Sequence, residues 1–129
     1  MDRSSSIVTL DELLYRARSR LARVPVEDLE TEAEAGALLV DVRTSEQRER
    51  DGDLPGAHPI DLNVLEWRLA PSSRHREIDF PLDHRVILVC SQGYSSSLAA
   101  ARLQDLGLTN VTDLEGGYQA WKAWTVARG

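Results

Sequence analysis

The chain has 129 residues, 42% of them hydrophobic and 28% charged, with a formal net charge of -6 and a pI near 5.0. That length makes one domain with a single core of moderate size, and the acidic balance argues against nucleic acid or an anionic membrane as the main partner. The single cysteine excludes an intramolecular disulfide framework and a cysteine-rich metal site, and no apolar run reaches the ~18 residues of a transmembrane helix.

In chain order, Met1 to Val8 are polar and expected to be loose. Met1 to Ser6 lack the basic start and apolar block of a secretory signal, so a reducing cytoplasm is the expected setting, one that also suits a reactive thiol. Thr9-Leu-Asp-Glu12 reads as a capping box, with Thr9 as N-cap of an amphipathic helix. Leu10, Leu13, Leu14, Ala17 and Leu21 share the face expected to pack on the domain, while Arg16, Arg18, Arg20 and Arg23 point elsewhere as a solvated face. Residues 1–23 are thus an extension ahead of a domain over 24–129.

Pro25 is compatible with a short edge strand over Val24 to Val26, and Val26 to Ala35 read as a helix ending at Gly36. Ala37 to Val42 form an apolar strand interrupted at Asp41, and Thr44 to Arg50 a short polar helix stopped by Asp51-Gly52. After the Pro55-Gly56 turn, Ala57 to Ile60 read as a strand. Asn63 is placed to cap a helix over Val64 to Leu69. Pro71 to Pro81 are a polar, turn-rich loop suited to flanking a pocket mouth.

Val86-Ile-Leu-Val89 is a wholly apolar strand, as in a parallel sheet covered on both faces. It runs into Cys90-Ser-Gln-Gly-Tyr-Ser95 and then a helix through Leu106, ended by Gly107. Val111 to Leu114 form a strand and Tyr118 to Val126 a last helix. The alternation means an α/β fold with a mostly parallel sheet.

Cys90 therefore sits at the carboxyl end of a central strand, where open α/β sheets bind ligands. A loop curling into a helix N-terminus turns backbone N–H groups inward, and the helix dipole adds partial positive charge. A thiol there has a lowered pKa and is a better nucleophile at neutral pH. A buried structural cysteine is the other reading of the same position.

The loop Cys90-Ser-Gln-Gly-Tyr-Ser95 resembles the six-residue active-site loop of the rhodanese family. Three further segments agree in order: Leu38-Leu-Val-Asp-Val-Arg43, Gly52-Asp-Leu-Pro-Gly-Ala57, and Val111-Thr-Asp-Leu-Glu-Gly-Gly-Tyr-Gln-Ala-Trp121. The likeness covers roughly Val24 to Trp124. It implies a rhodanese-like fold: a central, mostly parallel sheet of about five strands, helices on both faces, and an extra N-terminal helix.

The resemblance also implies a sulfurtransferase. A persulfide on Cys90 would carry sulfane sulfur from a donor of the thiosulfate or 3-mercaptopyruvate type to a thiol or cyanide; a protein acceptor is compatible. By the same likeness Ser91, Gln92, Gly93, Tyr94, Ser95 and Ser96 bind substrate, Gly93 permitting the curl, and Arg68 sends charge towards the site. Asp41 and Arg43 are expected to brace the strand end as an ion pair. Many thiosulfate-using members carry basic residues where this chain has Ser91 and Ser95, so a non-catalytic binding or regulatory module, or a persulfide sensor, is the alternative.

Other motifs fail. Gly93-Tyr-Ser95-Ser-Ser97 lacks the second glycine of a nucleophile elbow. The scattered His58, His75 and His84 offer no metal site, and no cofactor is expected. The phosphatases that share this fold need an arginine after the cysteine to clamp phosphate; Ser95, Ser96 and Ser97 follow Tyr94 here.

Overall fold

The structure, a computed structural model, describes residues 7–129. The expectation for Met1 to Ser6 lies outside these residues. Four strands form one sheet in the order β2-β1-β3-β4: β1 (Leu38–Asp41), β2 (His58–Pro59), β3 (Val86–Val89) and β4 (Val111–Asp113). All three pairings are parallel, with Leu38 opposite Val86 and Val86 opposite Val111. The carboxyl ends of β1, β3 and β4 therefore lie side by side at one edge of the sheet.

Period-2 alternation along β3 separates two cores. Val86 and Leu88 face one side, with α4 (Leu65–Leu69) and α5 (Ser95–Asp105) supplying Leu65, Leu69, Ala99, Ala100 and Leu103. Ile87 and Val89 face the other, with Leu29 of α2 (Leu29–Glu34) and Tyr118 of α6 (Gly117–Arg128). The four β3 side chains are all fully buried, each worth about 1.5–3 kcal/mol of apolar transfer. The small alanines of α5 bring its backbone close to β3, which fixes where that helix begins relative to Cys90.

The fifth strand expected around Val24 to Val26 is reduced to a single parallel bridge between Val24 and Leu114. Val24 N–H donates to Asp113 O at 3.0 Å and its carbonyl accepts from Glu115 at 2.9 Å. Pro25 has no N–H to extend the ladder, and the chain turns at once into a 3-10 turn over Val26–Asp28. The sheet therefore has four strands.

Capping also differs in detail. At α1 (Leu10–Arg18), Thr9 Oγ1 accepts from Glu12 N–H at 3.1 Å, but the Glu12 carboxylate pairs with Arg16 at 3.4 Å instead of closing the box. The complete box is at α3 (Ser45–Asp51), between Thr44 and Gln47. Asp61, not Asn63, caps the turn before α4, accepting from Asn63 N–H at 2.8 Å. Among the described residues no helix is long and apolar enough to cross a membrane.

Helix α1 lies on α5, with Ala17 buried between them and Arg20 bonded to Asp105 at 2.6 Å. Its apolar stripe is only partly covered, since Leu10 and Leu13 remain exposed. Nor do its arginines form one solvated face. Arg18 and the following Arg23 turn inward, for reasons that lie in the site.

Candidate active site

Cys90 follows directly on β3, and its loop closes within a few residues into the N-terminus of α5. Gly93, at φ 85°, turns the chain so that its own N–H donates to Cys90 Sγ at 3.0 Å. The Cys90 thiol donates to Ser96 Oγ at 3.2 Å, and Ser96 Oγ donates to Asp113 Oδ2 at 2.8 Å. Burial pushes the Cys90 thiol up. Hydrogen bonds from the Ser96 hydroxyl and amide, the Ser95 hydroxyl and the Gly93 amide outweigh it and hold the thiol below its ordinary range.

Asp113 closes the network from the end of β4. Its carboxylate, wholly buried, accepts from Ser96, from Ser97 at 2.7 Å, and from Arg23 Nε at 2.8 Å and Nη2 at 3.2 Å. A buried charge needs this degree of pairing. Nothing in the local sequence marks Asp113, which reads as one more strand residue.

The double glycine supports the loop from behind. Gly116 and Gly117 have φ of 74° and 63° and press backbone to backbone against it. As α6 starts, Tyr118 N–H donates to Cys90 O at 2.8 Å and Gln119 N–H to Ser91 O at 3.0 Å. The Cys90 and Ser91 carbonyls are thus tied down by α6, while the Gly93 N–H points to the sulfur.

In front of the sulfur lies a cavity of about 380 Å³, lined on the loop side by Cys90, Ser91, Gln92, Tyr94 and Ser95. Arg43 and Asp61 border it opposite. Gly93 and Ser96 are buried behind the sulfur and do not line it. Arg43 and Asp41 form a buried ion pair at 2.7 Å, and Arg43 Nη2 also donates to Gly52 O at 2.9 Å. The Arg43 guanidinium stacks 3.7 Å from the Tyr118 ring centroid, the π face serving an Nη1 that has no hydrogen-bond partner.

Arg68 is not brought to this cavity. Burial of Leu65 and Leu69 sets the rotation of the five-residue α4, which turns Trp67 and Arg68 outward. The Arg68 guanidinium is 3.9 Å from Glu77, whose carboxylate also bonds His58 Nε2 at 2.8 Å. Exposed pairs of this kind contribute little. Arg68→Ala is expected to leave kcat and KM of any Cys90 reaction within about twofold; a tenfold rise in KM for the donor would bring Arg68 back into the site. The Pro71–Pro81 loop likewise borders a different hollow, where Ser72, Ser73, Arg74 and His75 stand around Trp67. Among the described residues, no three His, Cys, Asp or Glu side chains stand together as metal ligands.

A family model for the rhodanese-like domain matches residues 25–123. The chain belongs to the rhodanese-like domain family. Relatives of this rhodanese-like chain include the thiosulfate sulfurtransferase GlpE of Pseudomonas fluorescens, 35% identical over 81% of this chain and 87% of its own. GlpE of Stutzerimonas stutzeri is 32% identical over 78% and 84%. Among solved structures, a protein of unknown function from Rhodopseudomonas palustris, described as a possible tyrosine phosphatase, superposes with a TM-score of 0.80 at 28% identity, covering 92% of both chains. The human single-domain sulfurtransferase TSTD1 gives 0.64 at 25% identity, over 78% of this chain and 95% of its own.

Proposed function

We propose that this rhodanese-like domain is a sulfurtransferase that carries sulfane sulfur as a persulfide on Cys90. The observation that carries the reading is the Cys90 sulfur itself: it sits at the floor of an open cavity, held by an inward-facing amide and two hydroxyls, with its pKa lowered. Both half-reactions gather negative charge on sulfur, and converging N–H donors are what such charge requires.

With a thiosulfate-type donor, the Cys90 thiolate attacks the outer sulfur. An S–S bond forms to Cys90, the donor's own S–S bond breaks, and sulfite leaves with the electron pair. With 3-mercaptopyruvate, a C–S bond breaks instead, and the enolate left behind takes a proton to become pyruvate. A thiolate or cyanide acceptor then attacks the terminal sulfur, and Cys90 leaves as thiolate. No oxidant or reductant enters either route. A reducing cytoplasm, rich in thiol acceptors, is the setting this chemistry suits.

The loop bears no basic side chain from Ser91 to Ser97. This counts against a phosphate-clamping role and keeps a non-catalytic module or a persulfide sensor as the rival reading. Intact mass under non-reducing conditions, before and after exposure to thiosulfate or 3-mercaptopyruvate, tests the proposal. The expected result is a gain of about 32 Da that cyanide or dithiothreitol removes. A folded protein with a titratable thiol that gains nothing from either donor would overturn it.

A further inference from the structure

The loop that holds Cys90 has no basic residue of its own, yet guanidinium groups reach it from the segment ahead of the family match. Arg18 Nη2 donates to Gly93 O at 2.8 Å and its Nε donates to Ser97 Oγ at 3.1 Å. Arg23 Nη2 donates to the same carbonyl at 3.1 Å while gripping Asp113. These bonds join side chains to positions 70 to 90 residues away. Both arginines are largely withdrawn from solvent, Arg23 to 16% exposure, so water screens them weakly.

Two consequences follow from the bonding alone. A trans peptide points its C=O and the next N–H in opposite directions, and no peptide bond among the described residues is cis. Drawing the Gly93 carbonyl towards the arginines therefore turns the Tyr94 N–H the other way. Secondly, the Ser96 hydroxyl has one proton and two claimants. While Cys90 is a thiol, its S–H donates to Ser96 and Ser96 donates to Asp113. Once Cys90 is a thiolate, that proton is better placed on sulfur, and Asp113 can release it because Arg23 and Ser97 remain as donors.

We infer that Arg18 and Arg23 are positioning residues for Cys90: they hold the Gly93–Tyr94 peptide in its anion-receiving orientation and satisfy Asp113, so that the Ser96 hydroxyl is free to serve the thiolate. The inference rests on the reading of Cys90 as a reactive thiolate, not on any sulfur donor. The other charged groups at the cavity are committed elsewhere, Arg43 to Asp41 and the Asp61 carboxylate to the Asn63 N–H. Without the arginines, Asp113 keeps the Ser96 proton, an uncompensated carboxylate stands behind the sulfur, and the thiol proton is held more tightly.

The pH profile of Cys90 alkylation by iodoacetamide reads this directly, because only the thiolate reacts. In the unmodified protein the rate rises with pH and levels off below the ordinary thiol range. In Arg18→Ala/Arg23→Ala the midpoint moves up by about one unit, making alkylation on the acid side about tenfold slower. Each single variant shifts part of the way, and Arg23→Lys returns much of the loss. Arg20→Ala is the control: it removes the ion pair made to Asp105 from just beyond the end of α1, without touching the loop, and its profile stays in place. An unmoved midpoint in variants with native circular dichroism would overturn the inference, and so would an equal shift in Arg20→Ala. If the double variant does not fold, the single variants and Arg23→Lys decide. Because no donor enters this assay, its failure is distinguishable from a failure of sulfur transfer.

Discussion

Cys90→Ser is expected to reduce sulfur transfer to the uncatalysed background and to abolish the mass gain on exposure to donor. A serine hydroxyl is hardly ionised at neutral pH and forms no counterpart of a persulfide, so neither half-reaction has a carrier. The fold is expected to survive. Serine is smaller by little, and its Oγ can accept from Gly93 N–H and bond Ser96 as the sulfur does. Circular dichroism and a melting temperature close to that of the parent protein are therefore part of the expectation. Substantial transfer by the folded variant would mean that sulfur travels by a route that does not include Cys90.

Gly117→Ala is expected to have the second-largest effect, from a position that never meets the substrate. A Cβ there would stand 2.5 Å from Cys90 O, 2.7 Å from Gly93 N and 2.8 Å from Gln92 N. All three are backbone atoms with no flexible side chain to yield, so the loop itself must move. A φ of 63° adds left-handed strain of about 1–2 kcal/mol, on top of about 1–3 kcal/mol for overpacking. A displacement on the order of 1 Å at the nucleophile costs roughly a hundredfold in rate. Gly36→Ala separates the two contributions: its φ of 106° is strained as well, but nothing lies within 4 Å of its added Cβ. It should lower the melting temperature and leave kcat/KM alone. Equal kinetic loss in both variants, or none in Gly117→Ala, would contradict this account of how the loop is held.

What was legible in the sequence followed from local pattern. The apolar run Val86–Val89 announces a strand covered on both faces, and the segment after it puts Cys90 between the carboxyl end of that strand and the start of α5. The strand count went astray at Val24, because a bridge to Leu114 depends on a partner distant in sequence and Pro25 removes the donor that would lengthen it. Arg68 stands away from the cavity because the rotation of a five-residue helix is set by which leucines find the core. Arg18 and Arg23 looked like solvated charges by helical spacing alone. Their partners lie on β4 and in the loop, and Asp113 itself carries no local mark. Ser96, which the resemblance places among the substrate-binding residues, lies wholly buried between sulfur and carboxylate.

The bond from Arg23 to Asp113 spans 90 residues, and it has a meaning for how the protein is made. Synthesis delivers the amino-terminal part first, so Arg18 and Arg23 leave the ribosome long before β4 and the double glycine exist. Pairings of such long range close late, since their loop entropy must be met before they are rewarded. Until they close, Cys90 has neither the Asp113–Ser96 chain nor the glycine buttress, and is an ordinary thiol. The lowered pKa of Cys90 is thus a property of the completed chain, withheld from the nascent one.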